Sequence, residues 1–413
     1  MSPSIPSRRN VLKGAAALSF AGGAGALVPD WALAQGQGAS PVALAAAEGS
    51  RPEIAGQGNL ALFNDSLPGP VLRVTKGSEL QVQFANALKE SVALTWQGVR
   101  MPADAAASAS AAVAGGQNKL IRLTPKDAGT FWYHAASPAL ARRALSGALI
   151  VAEPGTPAYA SDNLLFIQSF PPESGVPIFP VNGEFSPTFQ GPASGRSRLR
   201  LVNATPLFLR LRLKGPAVYA IAIDGQPVAQ PFELKDGRLQ MPPGGRVDVA
   251  ATIDDADATI IEVETSQEPI RLAVVTPVGP AGPAPSGPPA PLPPNDLPAD
   301  IPLKDAVRVE LPIGGKSGAT ASLGTVKSGK AMVLTLANSL DAPVSVYVAG
   351  HAVRLLDGLD DGWKPWWHDT VPVPAKATVR VALLAQATGT WSVTAQRGGD
   401  GEVVASATYQ VTA

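Results

Sequence analysis

From Leu80 to Phe84, in the stretch Gly77-Ser-Glu-Leu-Gln-Val-Gln-Phe-Ala-Asn86, every second residue is apolar. A period of two puts those side chains on one face, which predicts a half-buried β-strand. The pattern returns at Gly329-Lys-Ala-Met-Val-Leu-Thr-Leu-Ala-Asn338 and, more loosely, from Gly195 to Asn203. The closing asparagines Asn86, Asn203 and Asn338 stand 117 and 135 residues apart, so glycine, alternating strand and asparagine recur in order. Such a long period argues for three versions of one domain. Gly389-Thr390-Trp391 echoes Gly129-Thr130-Phe131 in the same way. Between apolar runs stand turn steps such as Asp224-Gly225 and Pro243-Gly244, where glycine supplies the positive φ that a tight turn demands. The expectation is an all-β chain of three tandem domains.

Composition supports this without naming a function. With 413 residues, 45% of them hydrophobic and 16% charged, the chain can bury several cores. Gly and Pro number 41 each, which suits short strands and turns more than long helices. Proline crowds the stretch 276–302, including Gly282 to Pro294, and this reads as a surface linker. The domains are therefore expected at 35–155, 156–275 and 303–413, with an irregular Ala/Ser-rich loop from Ala103 to Gly116. Lys+Arg and Asp+Glu are both 33 and no basic run occurs, so nucleic acid is not an expected partner. Residues 1–34 carry Arg8-Arg9, a small apolar run from Gly14 to Val28 and Ala32-Leu33-Ala34, the marks of a twin-arginine export signal cleaved after Ala34. The mature chain is expected in the periplasm, with no transmembrane segment.

Several motifs carry a family resemblance. Gly129-Thr-Phe-Trp-Tyr-His134-Ala-Ala136, Thr95-Trp96-Gln97-Gly98-Val99-Arg100, Val181-Asn182-Gly183, Pro243-Gly244-Gly245-Arg246-Val247-Asp248 and Asp369-Thr370-Val371 resemble signatures of the multicopper oxidases. The resemblance implies three tandem cupredoxin-like domains, each a Greek-key β-sandwich or barrel, with an architectural middle domain. It also implies a blue copper held by two histidines and a cysteine, and a three-copper cluster held by eight histidines. This chain has three histidines and no cysteine in all, too few for either centre in any register. No other side chain present supplies the covalent Cu–S bond of a thiolate.

Placed on the family pattern, the cluster positions are Thr95, Gln97, His134, Ala136, Tyr347, Ala349, Thr394 and Gln396, and the blue-copper positions are Val344, Ala395 and Asp400. His134 is the one retained ligand position; His351 aligns with a non-ligand histidine. A four-ligand structural metal site gains about 10 to 16 kcal/mol, so one imidazole is worth roughly 3 to 4 kcal/mol, or millimolar binding. The expectation is no metal site, no catalytic residue and no cofactor, with His134, shared between two molecules or joined by His351 or His368, the only candidate ligand. Ser146 lies in no Gly-x-Ser-x-Gly pattern, and no hydrolase triad is evident.

The resemblance is strongest to the copper-depleted branch that includes the SufI/FtsP cell-division proteins. It implies a non-enzymatic scaffold in the cell envelope, with envelope proteins or the division machinery as partners. Two alternatives stand beside it. One is a copper-dependent oxidoreductase. The other is a periplasmic module that binds a glycan or peptide in the old copper cleft or on Trp363, Trp366 and Trp367, although packing of those tryptophans is the simpler reading.

Overall fold

The computed structural model of the chain describes residues 40–54, 59–153, 159–171, 177–254, 258–280, 282–315, 320–356 and 363–413. The expected export signal at 1–34 lies outside the described residues. Strands dominate, and six sheets pair into three sandwiches.

In the first, Leu60–Phe63, Val42–Gly49, Leu80–Asn86 and Asn118–Leu123 form one sheet. Gly69–Thr75, Ser146–Ala152, Gly129–Ala135 and Leu94–Gln97 form the other. A single core fills the space between them, drawing Leu44, Val82 and Phe84 from one face and Leu72, Phe131 and Leu149 from the other. The predicted alternation holds: Leu80, Val82 and Phe84 are buried, while Gln81 and Gln83 are half-buried. The second and third sandwiches each pack two five-stranded sheets around their own aliphatic cores.

Register confirms the threefold repeat. In each sandwich the strand ending in the recurring asparagine pairs in parallel with an earlier one: Leu80–Asn86 with Val42–Gly49, Gly195–Asn203 with Ser161–Ile167, and Ala331–Asn338 with Val307–Ile313. The asparagines also do the same work. Asn86 Oδ1 accepts from the Leu88 amide at 3.0 Å, Asn203 Oδ1 from the Thr205 amide at 3.1 Å and Asn338 Oδ1 from the Leu340 amide at 3.0 Å. Each Nδ2 donates to the carbonyl four residues on, at Glu90, Leu207 and Ala342. Each donates as well to a carbonyl across the sandwich, at Val113, Met241 and Val373. One buried amide thus satisfies the backbone of a whole corner, as buried polar groups require.

The structure corrects one expectation. Ala103–Ala109, expected irregular, is an α-helix. Its alanines have high helix propensity and no side-chain entropy to lose, and its end is fixed by Trp96 Nε1 donating to Ala109 O at 3.2 Å. The strand Ile270–Val278 leads into the proline-rich stretch, its last residues pairing in parallel with Thr188–Pro192.

The proline-rich stretch is anchored at several points. Leu292 is buried against Ile221 and Ala250, and Ile301 against Val333 and Trp367. Asn295 Oδ1 accepts from the Ala128 amide and its Nδ2 donates to Ala128 O, both at 2.9 Å, while Asp296 O accepts from Arg100 Nη2.

Charged side chains in strands buried on both faces join the sandwiches. Arg246, fully buried in the second, donates from Nη1 and Nη2 to the Asp369 carboxylate of the third at 2.7 and 2.5 Å. Its Nε donates to Thr130 O of the first at 3.3 Å. Asp224 accepts from the backbone amides of Asp369 and Thr370, each at 3.3 Å. Burial disfavours the Arg246 charge, but Asp369 and Asp224 outweigh it and hold the guanidinium above the usual arginine range. Thr130 Oγ1 donates to Asp248 at 3.0 Å and accepts from Arg200 at 2.9 Å, tying the first sandwich to the second. The family-like Arg-x-Asp and Asp-Thr motifs are therefore interface chemistry.

Candidate functional site

Two strand pairs from opposite ends of the chain frame one cavity of about 630 Å³. In the first sandwich Leu94–Gln97 lies antiparallel to Gly129–Ala135, with Thr95 directly opposite His134. In the third, Val344–Val348 lies antiparallel to Gly389–Arg397, with Tyr347 directly opposite Thr394. Because side chains alternate, Gln97 and Ala136 follow their neighbours onto the cavity wall, and so do Ala349 and Gln396. All eight positions placed on the three-copper pattern therefore line this one cavity. The second sandwich closes it with Pro243 and Gly244 of the Pro-Gly motif and with Gln168 and Thr205, which no motif flagged.

The donor set does not fit a copper cluster. Of the eight side chains two are methyl groups, five are neutral amides, hydroxyls or a phenol, and one is an imidazole. Burial raises the Tyr347 phenol far from ionisation, and its oxygen accepts from the Gly98 amide at 3.3 Å. Among the described residues no group of three or more His, Cys, Asp or Glu side chains is placed to hold a metal ion. Val344 and Ala395, two of the blue-copper positions, lie in the aliphatic core of the third sandwich. Asp400 sits in an exposed turn, paired with Arg397 at 2.5 Å.

His134 is the only histidine on the cavity wall. Its Nδ1 donates to Ala135 O at 2.8 Å, which leaves Nε2 as the lone-pair nitrogen, and its ring stacks on Trp132 at 4.3 Å. Burial lowers its pKa to about 4, the backbone bond opposing only in part, so it is neutral near pH 7. His351 is buried elsewhere, its Nδ1 2.7 Å from the Tyr409 hydroxyl, and His368 lies 3.4 Å from Asp224. Neither is on the wall with His134, so the structure gathers no histidine pair there.

The tryptophan segment is packed. Trp367 is buried beneath the Arg354 guanidinium at 4.3 Å, and Trp366 lies 4.9 Å from Phe232 of the second sandwich. The Trp363 side chain lies outside the described residues.

Comparison with known proteins agrees with this geometry. The multicopper oxidase family model matches residues 47–156. A multicopper oxidase from Pseudomonas thermotolerans superposes with a TM-score of 0.78 at 25% identity, over 90% of this chain and 99% of that one. Residues 47–156 thus form a multicopper oxidase domain, and the likeness in fold runs over nine-tenths of the chain. The chain is 22% identical to the multicopper oxidase MmcO of Mycobacterium tuberculosis, over 80% of its own length and 78% of the relative's. It is 26% identical to the cell division protein FtsP of Proteus mirabilis, over 48% of each chain. It thus spans about half the length of the latter relative. No described helix is long and apolar enough to cross a membrane.

Proposed function

We propose that this chain is a copper-free, non-enzymatic member of the multicopper oxidase family, a binding protein exported to the cell envelope by the twin-arginine route. One observation carries the reading: the eight positions around the cavity converge as a copper cluster would need, yet one alone bears a copper-ligand side chain. A scaffold that keeps the enclosure and three interlocked sandwiches still offers a wall and an outer surface for recognition. The likeness to FtsP favours an envelope protein, the division machinery included, as the partner class.

The test is the copper-to-protein ratio of mature chain purified from copper-supplemented cells, read with its visible absorption. A ratio near zero and a colourless protein are expected. Stoichiometric copper restores the oxidoreductase reading. Replacing Arg8 and Arg9 with lysine is expected to keep the chain out of the periplasmic fraction, and unchanged fractionation rules out the proposed route.

A further inference from the structure

The cavity itself has a chemical character that narrows what it could hold. At about 630 Å³ it lies in the range of pockets that enclose small molecules. Its wall is rich in rings: Trp96, Trp132, Phe170 and Trp391 contribute to it, drawn from all three sandwiches. Aromatic faces favour flat partners that can stack. Between them stand neutral hydrogen-bonding groups, among them half-buried Thr95, Thr394 and Gln396.

Among the described residues formal charge on the wall is almost absent. Of these, Arg142 alone carries a fixed charge; it is exposed, and its Nη1 donates to Asp400 O at 2.9 Å. No described carboxylate lines the wall, and His134 is held neutral by burial. A charged ligand would lose its hydration with no counter-charge inside, a cost that an uncharged one escapes.

Two buried wall residues also have an unmet polar atom. Trp132 is 7% and Gln168 3% exposed, and the indole Nε1 of the first and the amide Oε1 of the second find no hydrogen-bond partner among the described residues. Gln168 Nε2 is engaged, donating to Ser146 Oγ at 3.3 Å. Buried polar groups are seldom left unpaired in a native protein, so one donor and one acceptor in the same wall mark a place for a polar partner. We infer that the cavity binds an uncharged, largely apolar small molecule with a planar ring and at least one hydrogen-bonding group, in the space where the family resemblance places metal. This rests on the copper-free reading.

The probe is N-phenyl-1-naphthylamine, a neutral diarylamine whose fluorescence rises in apolar surroundings, titrated into the mature chain. Saturable one-to-one binding is expected. Ala136→Trp fills the cavity from an exposed wall position of the first sandwich, and Ser392→Trp from an exposed one of the third. At least one of them, with its melting temperature within a few degrees of the parent, is expected to weaken the probe tenfold or more. Phe185→Ala, at a 52% exposed ring off the wall, is expected to leave binding unchanged. Unsaturable fluorescence, or undiminished binding in every folded tryptophan variant, overturns the inference. Binding of neutral maltotriose with none of the probe overturns the ligand class. Copper measured on the same sample separates the failures: a copper-free chain that ignores the probe sinks this inference alone, whereas stoichiometric copper sinks the reading beneath it.

Discussion

Arg246 and Asp369 meet through two nearly parallel hydrogen bonds, 2.7 and 2.5 Å long, with no exposure of the arginine side chain and 7% of the aspartate's. The pair joins the second sandwich to the third beneath Thr130 of the first, so three units separated by more than a hundred residues close on one guanidinium. A buried pair is worth little against a well-packed apolar substitute, yet breaking it from one side is costly because a charge is left alone.

Asp369→Ala is therefore expected to cost about 3 to 5 kcal/mol, and Arg246→Met, which strands Asp369 and Asp224, at least as much. The double variant Arg246→Met with Asp369→Ala should cost less than the sum of the single changes by at least about 1 kcal/mol. Urea denaturation of the four chains checks this. Strict additivity would mean that the two residues act independently.

The three corner asparagines should respond alike. Asn86→Ala, Asn203→Ala and Asn338→Ala each leave at least two carbonyls and an amide without their side-chain partner, at about 1 to 3 kcal/mol. Replacement by aspartate should be worse at every site, since a carboxylate cannot donate to those carbonyls. Thermal melting of the six variants provides the ranking, and an aspartate variant as stable as the parent contradicts it.

Acid should weaken the fold through histidine before the carboxylates protonate. Burial holds His134 and His351 down to about 4, below the ordinary value of 6.5. Both shifts are downward, so the unfolded chain binds the extra protons. Stability is then complete above about pH 6.5 and declines as pH falls from there toward 4. Between pH 7.5 and 5 each histidine accounts for about 2 kcal/mol of the loss. Denaturation of parent and His134→Phe at the two pH values checks this by difference: the variant should be flatter by that amount, whatever its absolute stability.

Gly129 has φ of 145°, and a Cβ there would come within 2.2 Å of the Gly225 carbonyl oxygen. Backbone of the first sandwich touches backbone of the second at that point, with no flexible side chain to yield. Gly129→Ala is expected to lose more than about 3 kcal/mol or to give no soluble protein. Gly77→Ala, at a turn where φ is 78° but nothing lies within 4 Å, should cost only about 1 kcal/mol. Comparing the two by limited proteolysis separates the clash from the backbone preference.

The strands that frame the cavity could be read from the chain because a period of two is rigid. Once the Thr-Phe-Trp-Tyr-His and Thr-Trp-Gln motifs are in register, Thr95 must share a face with Gln97, and His134 with Ala136. The helix Ala103–Ala109 was not legible, because a run of alanine has no polar face to reveal a period. Proline content around 276–302 shows what that segment cannot join, but not that Asn295 clasps Ala128. Gln168's place on the wall was hidden for a similar reason, since it lies just past a strand in no motif. Arg198, Arg200 and Asp248 did leave a signal: charges inside otherwise apolar strands must find partners or be expelled.

The enclosure takes its lining from all three sandwiches, including a substantial share from residues beyond 340. A shortened chain that stops before the strand Gly389–Arg397 would leave the enclosure open on one side. Recognition can begin only once that strand has been made and has docked beside Val344–Val348, so a truncated product would be blind to the ligand however well its own part had folded.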